Sequence, residues 1–238
     1  MLYLIGLGLN EKSISLEGLE ACRKADEVFL EGYTIDFPYK KEELEKVIEN
    51  KIKVLKRDEV ESEGVVKEAE KKDICLLIYG SPLFATTHIS LLQMCIEKKI
   101  KYRVIFNASV FDAIAETGLQ LYKFGKTTSL PKWTEKHKPA SFVDVIKENQ
   151  SIRAHTLLLV DIGLEFQEAL NQLIEACKDR INLKEMVICS NLGTEKAKIL
   201  YGSIEKLKNK KIEKPFCFII LGEMHFLERE FLNNFLVR

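Results

Sequence analysis

The 238-residue sequence has no excess charge of either sign, no Cys-x-x-Cys pair, no apolar run of membrane-spanning length and no internal repeat. Lys plus Arg equals Asp plus Glu, 36 each, so no bulk field draws the chain onto nucleic acid or an acidic membrane, and partners must be recognised locally. The one basic run, Lys206, Lys208, Lys210, Lys211 and Lys214, reads as a solvated helix end or loop. The six cysteines, Cys22, Cys75, Cys95, Cys177, Cys189 and Cys217, stand at least twelve positions apart. That spacing removes the signatures of zinc binding and of thioredoxin-like chemistry. With no signal peptide at Met1 and no run of about 18 apolar residues, the sequence reads as cytoplasmic, its thiols reduced and packed.

The dinucleotide fingerprint is incomplete as well. Gly6-Leu7-Gly8 closes the first apolar run, but the third glycine is replaced by Glu11, which disfavours NAD. No nucleophile triad, paired acid site or metal cluster stands out, so no catalytic residue and no metal ligand is assigned.

What is present is an alternating α/β pattern. Hydrophobic residues make up 46 % and charged residues 30 %, ordinary for a chain with a sizeable core. Strands are predicted at 2–7, 27–30, 52–55, 74–79 and 102–106, then at 127–130, 156–160, 186–190 and 217–221, with helical stripes between them, the order expected of parallel sheets. Ile74 to Tyr79 is apolar throughout, as a strand covered on both faces should be. Leu16, Leu19 and Cys22 share one predicted helix face, and Leu44, Val47 and Ile48 another. Asp58 with Glu61 starts a predicted helix running to about Lys71. Phe166, Leu170, Leu173, Ile174 and Cys177 form a later stripe, with Gln172 on its wet side. A domain boundary is placed at Ser109 to Val110, giving domains 1–109 and 110–238.

Three loops follow strands in the first domain: Gly6 to Leu9, Gly80 to His88, and Asn107 to Val110. In open parallel sheets ligands bind outside the carboxyl ends of strands, so these loops are where a site belongs. A tight turn explains the glycines equally well, and hydrogen-bonded structural roles explain His88, Thr86, Thr87 and Ser109.

The segments Met1 to Leu9, Glu31-Gly32-Tyr33-Thr34, Pro82 to His88, Asn107 to Val110, Gly118 to Lys126, His155 to Ile162 and Gly222-Glu223-Met224-His225 with Glu228 and Glu230 occur in one order across nearly the whole chain. Together they resemble the diphthine synthase family, in the tetrapyrrole methylase-like group. The resemblance implies two α/β domains with an S-adenosylmethionine cleft between them. It puts cofactor contacts on Leu9, Ser81, Phe84, Ser109, Val110, Val160, Leu192 and Phe216, and acceptor-facing groups on Tyr33, Thr34, Thr87 and His88. Ser81 departs from the family's Gly-Asp-Pro, putting a hydroxyl where a carboxylate is usual.

The activity implied is methylation of the 3-amino-3-carboxypropyl-histidine of translation elongation factor 2, with three methyls giving diphthine or four giving its methyl ester; 107–110 and 118–122 lean towards four. S-adenosylhomocysteine would be the second product and a homodimer the assembly, with neither nucleic acid nor membrane as partner. The rival readings are a tetrapyrrole or precorrin methyltransferase, and a degenerate cofactor-binding protein without activity.

Overall fold

A computed structural model describes residues 1–238. The chain divides into two compact units, Met1–Val110 and Phe111–Arg238. The first contains β1 (Leu2–Gly6), α1 (Leu16–Lys24), β2 (Glu27–Glu31), α2 (Lys41–Ile48), β3 (Ile52–Leu55), α3 (Arg57–Glu61), α4 (Gly64–Glu68), β4 (Ile74–Ile78), α5 (Ile89–Glu97) and β5 (Tyr102–Ile105). Its sheet runs β3-β2-β4-β1-β5, and every pairing is parallel. All five carboxyl ends therefore share one edge.

Alternation along the strands builds a core on each face. Leu2, Leu4, Phe29, Leu76 and Ile78 pack with Val60, Val66, Leu91 and Cys95 on one side. Ile5, Val28, Leu30, Cys75 and Leu77 meet Cys22, Leu44 and Ile48 on the other. β4 is buried at every position, and each such aliphatic side chain contributes about 1.5–3 kcal/mol by leaving water.

The helix expected from Asp58 to Lys71 is instead two short ones. The Ser62 hydroxyl donates to the Glu59 carbonyl and accepts from the Gly64 N–H, a local arrangement that competes with helix continuation. The start also differs, because Glu59 accepts from the Lys56 N–H and Asp58 caps nothing. In α1, Cys22 is buried but Leu16 is exposed, and Gly18 takes the inner position.

α6 (Val110–Ala113) crosses the junction. The second unit holds β6 (Thr128–Leu130), α7 (Ser141–Ser151), β7 (Thr156–Val160), α8 (Phe166–Cys177), β8 (Glu185–Ser190), β9 (Lys198–Ser203), α9 (Ile204–Leu207), β10 (Phe216–Ile220) and α10 (Phe226–Leu232). Its sheet, β6-β7-β10-β8-β9, is mixed rather than parallel: only β6 and β7 run together. β9 was not anticipated, because its flanking lysines and Gly202 mask the short Ile199-Leu200-Tyr201 run. Gln172 is buried, not wet; its side-chain oxygen accepts from the Trp133 N–H at 2.9 Å and anchors the 131–139 loop. All six cysteines are buried and free.

A buried polar node ties the second unit together. Glu228, fully buried, accepts from the Gln120 N–H (2.9 Å), the His225 N–H (2.7 Å) and the Lys123 ammonium (2.5 Å). His155 accepts from the Gly222 N–H at Nδ1, so its Nε2 carries the proton and faces Glu228 at 3.4 Å. Burial works against the Glu228 charge, but those donors outweigh it and hold its pKa down to about 2 from the ordinary 4.5. A depressed folded pKa contributes stability that is complete above the ordinary value and is lost as pH falls through the folded one. Glu228→Gln should lower unfolding stability near neutral pH by about 3 kcal/mol, as for breaking a buried pair. In urea titrations the gap to wild type should then close as pH falls from about 4.5 to about 2.

Candidate functional site

At the carboxyl edge of the first sheet, hydrogen bonds join the three strand-end loops. Gly8 and Gly80 exchange N–H to carbonyl bonds of 3.2 and 2.9 Å, both at positive φ (69° and 70°), a conformation that glycine adopts without a Cβ penalty. The Asn107 carboxamide donates to the carbonyls of Gly6 (3.0 Å) and Ser13 (2.9 Å), and its oxygen accepts from the Ala108 N–H. The loop after β1 is thus tied to the loop after β4 by glycine backbone and to the loop after β5 by one amide. No side chain fits at Gly6: a Cβ there would lie 2.6 Å from the Gly80 oxygen and 2.9 Å from the Asn107 Cβ. The Tyr79 hydroxyl donates to the Leu9 carbonyl at 3.1 Å, with its ring against Phe37.

Of the residues singled out in sequence, Leu9, Ser81, Phe84 and Ser109 sit on these joined loops, and Val110 opens α6 directly after the third. Leu9 and Ser109 are buried, and Ser81, Phe84 and Val110 are half-buried. None is charged. The groups on offer are apolar side chains, a hydroxyl or two and backbone amides, a set that fits a nucleoside carried by a cationic sulfur.

In the second unit Val160 ends β7 and Phe216 begins β10. Because β10 is antiparallel to both β7 and β8, with Phe216 opposite Ser190, these ends share one edge with Leu192 just beyond β8. Asn191, at φ 52°, donates its N–H to the Pro215 carbonyl at 2.9 Å, and Ser190 donates to the Glu213 carbonyl. Phe216 packs between Phe166 and Phe218.

Of the four remaining positions, all in the first unit, Tyr33 and Thr34 follow β2, and Thr87 and His88 directly precede α5. Thr34 donates to Glu31 at 2.5 Å, and the Tyr33 N–H reaches the other oxygen of the same carboxylate at 3.0 Å. The Tyr33 hydroxyl is buried beside Thr87 without a well-aligned hydrogen bond, and Arg57 lies over its ring. Burial, reinforced by Glu31 and Glu61, pushes the phenol up to about 12. Thr87 reaches Glu61 at 3.3 Å, so it does not cap α5. His88 is buried, with Nδ1 at 3.1 Å from the Pro82 carbonyl and Nε2 unpartnered. Glu31 and Asn107 were not expected as site residues. The available signal for Glu31 is a carboxylate closing an apolar strand, where only a partnered acid is buried.

The model of the Tetrapyrrole (Corrin/Porphyrin) Methylases matches residues 1–208. The chain belongs to the tetrapyrrole methylase family. Among similar family members, a diphthine methyl ester synthase of Bos taurus is 36% identical over 272 residues, spanning 100% of this chain and 95% of the relative. A diphthine synthase of Methanocaldococcus jannaschii is 37% identical over 251 residues, covering 98% of each. A solved diphthine synthase structure superposes with a TM-score of 0.91 at 33% identity, over 99% of this chain and 95% of the other. The mixed α/β architecture with two sheets is the tetrapyrrole methylase fold, and the chain is a methyltransferase of that family. Gly6→Ala should destabilise it by about 1–3 kcal/mol, the usual effect of overpacking, measured as a lower urea midpoint with unchanged slope.

Proposed function

We propose that the chain methylates the 3-amino-3-carboxypropyl-histidine of translation elongation factor 2, using S-adenosylmethionine, in diphthamide biosynthesis. The observation that carries this reading is the set of three joined loops at the carboxyl edge of a parallel sheet, in a chain similar from end to end to diphthine synthases. Leu9, Ser81, Phe84, Ser109 and Val110 of domain 1–109 and its junction are assigned as cofactor contacts, with Val160, Leu192 and Phe216 of domain 110–238. Tyr33, Thr34, Thr87 and His88 are assigned to the acceptor.

S-adenosylmethionine supplies a methyl group on a sulfonium, an electrophile that needs no metal. What the chain has to supply is placement, since a well-oriented intramolecular arrangement lowers such a barrier by about 7–11 kcal/mol. Loops joined by backbone hydrogen bonds and by an asparagine tether supply it with little motion left to freeze. Zero net charge agrees with a protein acceptor and no nucleic acid, and no helix is long and apolar enough to cross a membrane. A cytoplasmic homodimer completes the reading.

Labelled S-adenosylmethionine with elongation factor 2 bearing the unmethylated side chain should give three or four methyls on that histidine by mass spectrometry. Label on a corrinoid instead would refute the acceptor. Calorimetry should show cofactor binding, and Ser81→Asp should tighten it about tenfold, because a hydrogen bond to an ionised acceptor adds roughly 1.5 kcal/mol over a neutral one; no heat from either protein would mark a degenerate relative.

A further inference from the structure

Converting a primary ammonium to a trimethylammonium group removes three protons, one ahead of each transfer. The first can leave in solution. In a processive enzyme the later ones leave while the acceptor is bound, which calls for a lone pair beside the amine.

Four titratable groups, Glu31, Tyr33, Arg57 and Glu61, gather at the end of β2 and on α3, and Thr87, which reaches Glu61 and lies beside Tyr33, leads directly into His88. Both Glu31 oxygens already accept hydrogen bonds, from Tyr33 and Thr34. Tyr33 holds its proton, with a pKa of about 12, and Arg57 has no lone pair to offer. Glu61 is engaged by Thr87 and Arg57, with a partly exposed side chain. His88 is different. The Pro82 carbonyl only accepts, so in the neutral ring Nδ1 carries the proton and Nε2 the lone pair. That lone pair is buried without a partner in a residue 1 % exposed. Leaving such an atom unpaired costs about 1–3 kcal/mol, and a native orphan of this kind marks a group kept for use or a trapped water. A second orphan, the Tyr33 hydroxyl, lies beside Thr87, which immediately precedes His88.

Resting on the acceptor assignment above, we propose that His88 Nε2 is the base that takes the proton from the partly methylated amine, with Tyr33 and Thr87 orienting it. The ammonium N–H bond breaks, its electron pair stays on the amine nitrogen, and the proton joins the Nε2 lone pair. The imidazolium keeps its Nδ1 bond to Pro82 and returns the proton to water before the next round.

His88→Asn can keep an amide N–H near the Nδ1 position while removing Nε2 together with Cε1. This variant should keep its cofactor affinity and slow the second and third transfers by about 100-fold or more beyond any loss in the first, so that monomethyl product accumulates. His88→Ala should regain the later transfers on adding imidazole, and 15N spectra of the wild-type ring should show Nδ1 protonated and Nε2 bare. Trimethyl product from His88→Asn at the wild-type rate, an equal loss in all rounds with no imidazole rescue, or a protonated Nε2 occupied by a trapped water would each overturn the assignment. A wild-type protein that leaves elongation factor 2 unmethylated would refute the acceptor reading itself, a result separate from any failure confined to the His88 variants.

Discussion

The reciprocal hydrogen bond between Gly8 and Gly80 is the constraint on which the site depends. It joins the ends of β1 and β4, neighbours in the parallel sheet, beyond the point where the regular ladder stops. Both residues need positive φ, and Gly6 beside them has no room for a Cβ. Asn107 then brings in the third loop by donating to two carbonyls of the first, those of Gly6 and Ser13. Side-chain identity matters less than backbone approach here, which is why the surrounding positions can be leucine, phenylalanine, valine and serine.

Rigidity at that edge contrasts with strain nearby. Ala85, in the loop that carries Ser81, Phe84 and His88, sits at φ 54°, a left-handed conformation unfavourable by roughly 1–2 kcal/mol for a residue with a Cβ. The same segment ends on a histidine whose outer nitrogen is unpartnered. Unfavourable local terms of this kind persist where the surrounding fold over-determines them, here by the buried β4 on one side and Leu91 and Cys95 of α5 on the other.

Much of the first unit was legible because β1 and β4 are apolar runs that close on Gly6 and Gly80, and Gly32 and Asn107 punctuate the chain after β2 and β5. The second unit was less so. Antiparallel pairing around β10 brings together residues far apart in sequence, and no short pattern distinguishes it from a parallel crossover. β9 was hidden by lysines, and the break at Ser62 by a side chain that competes for backbone partners. Leu16 and Gln172 exchanged their expected environments for tertiary reasons: a glycine lets α1 sit close to the sheet, and a buried amide holds the Trp133 loop. The loops themselves were visible; the tether from Asn107 and the burial of Glu31 depend on contacts across 101 residues for the first and on fit at a strand end for the second.

The central claim is that one nucleoside cofactor rests on the joined loops of the first sheet edge. Amide chemical-shift mapping with S-adenosylhomocysteine tests it most directly. Saturable shifts should concentrate at Gly8, Leu9, Gly80, Ser81, Phe84, Ser109 and Val110; saturable shifts that spare all three loops, or none at all at millimolar ligand, would contradict it.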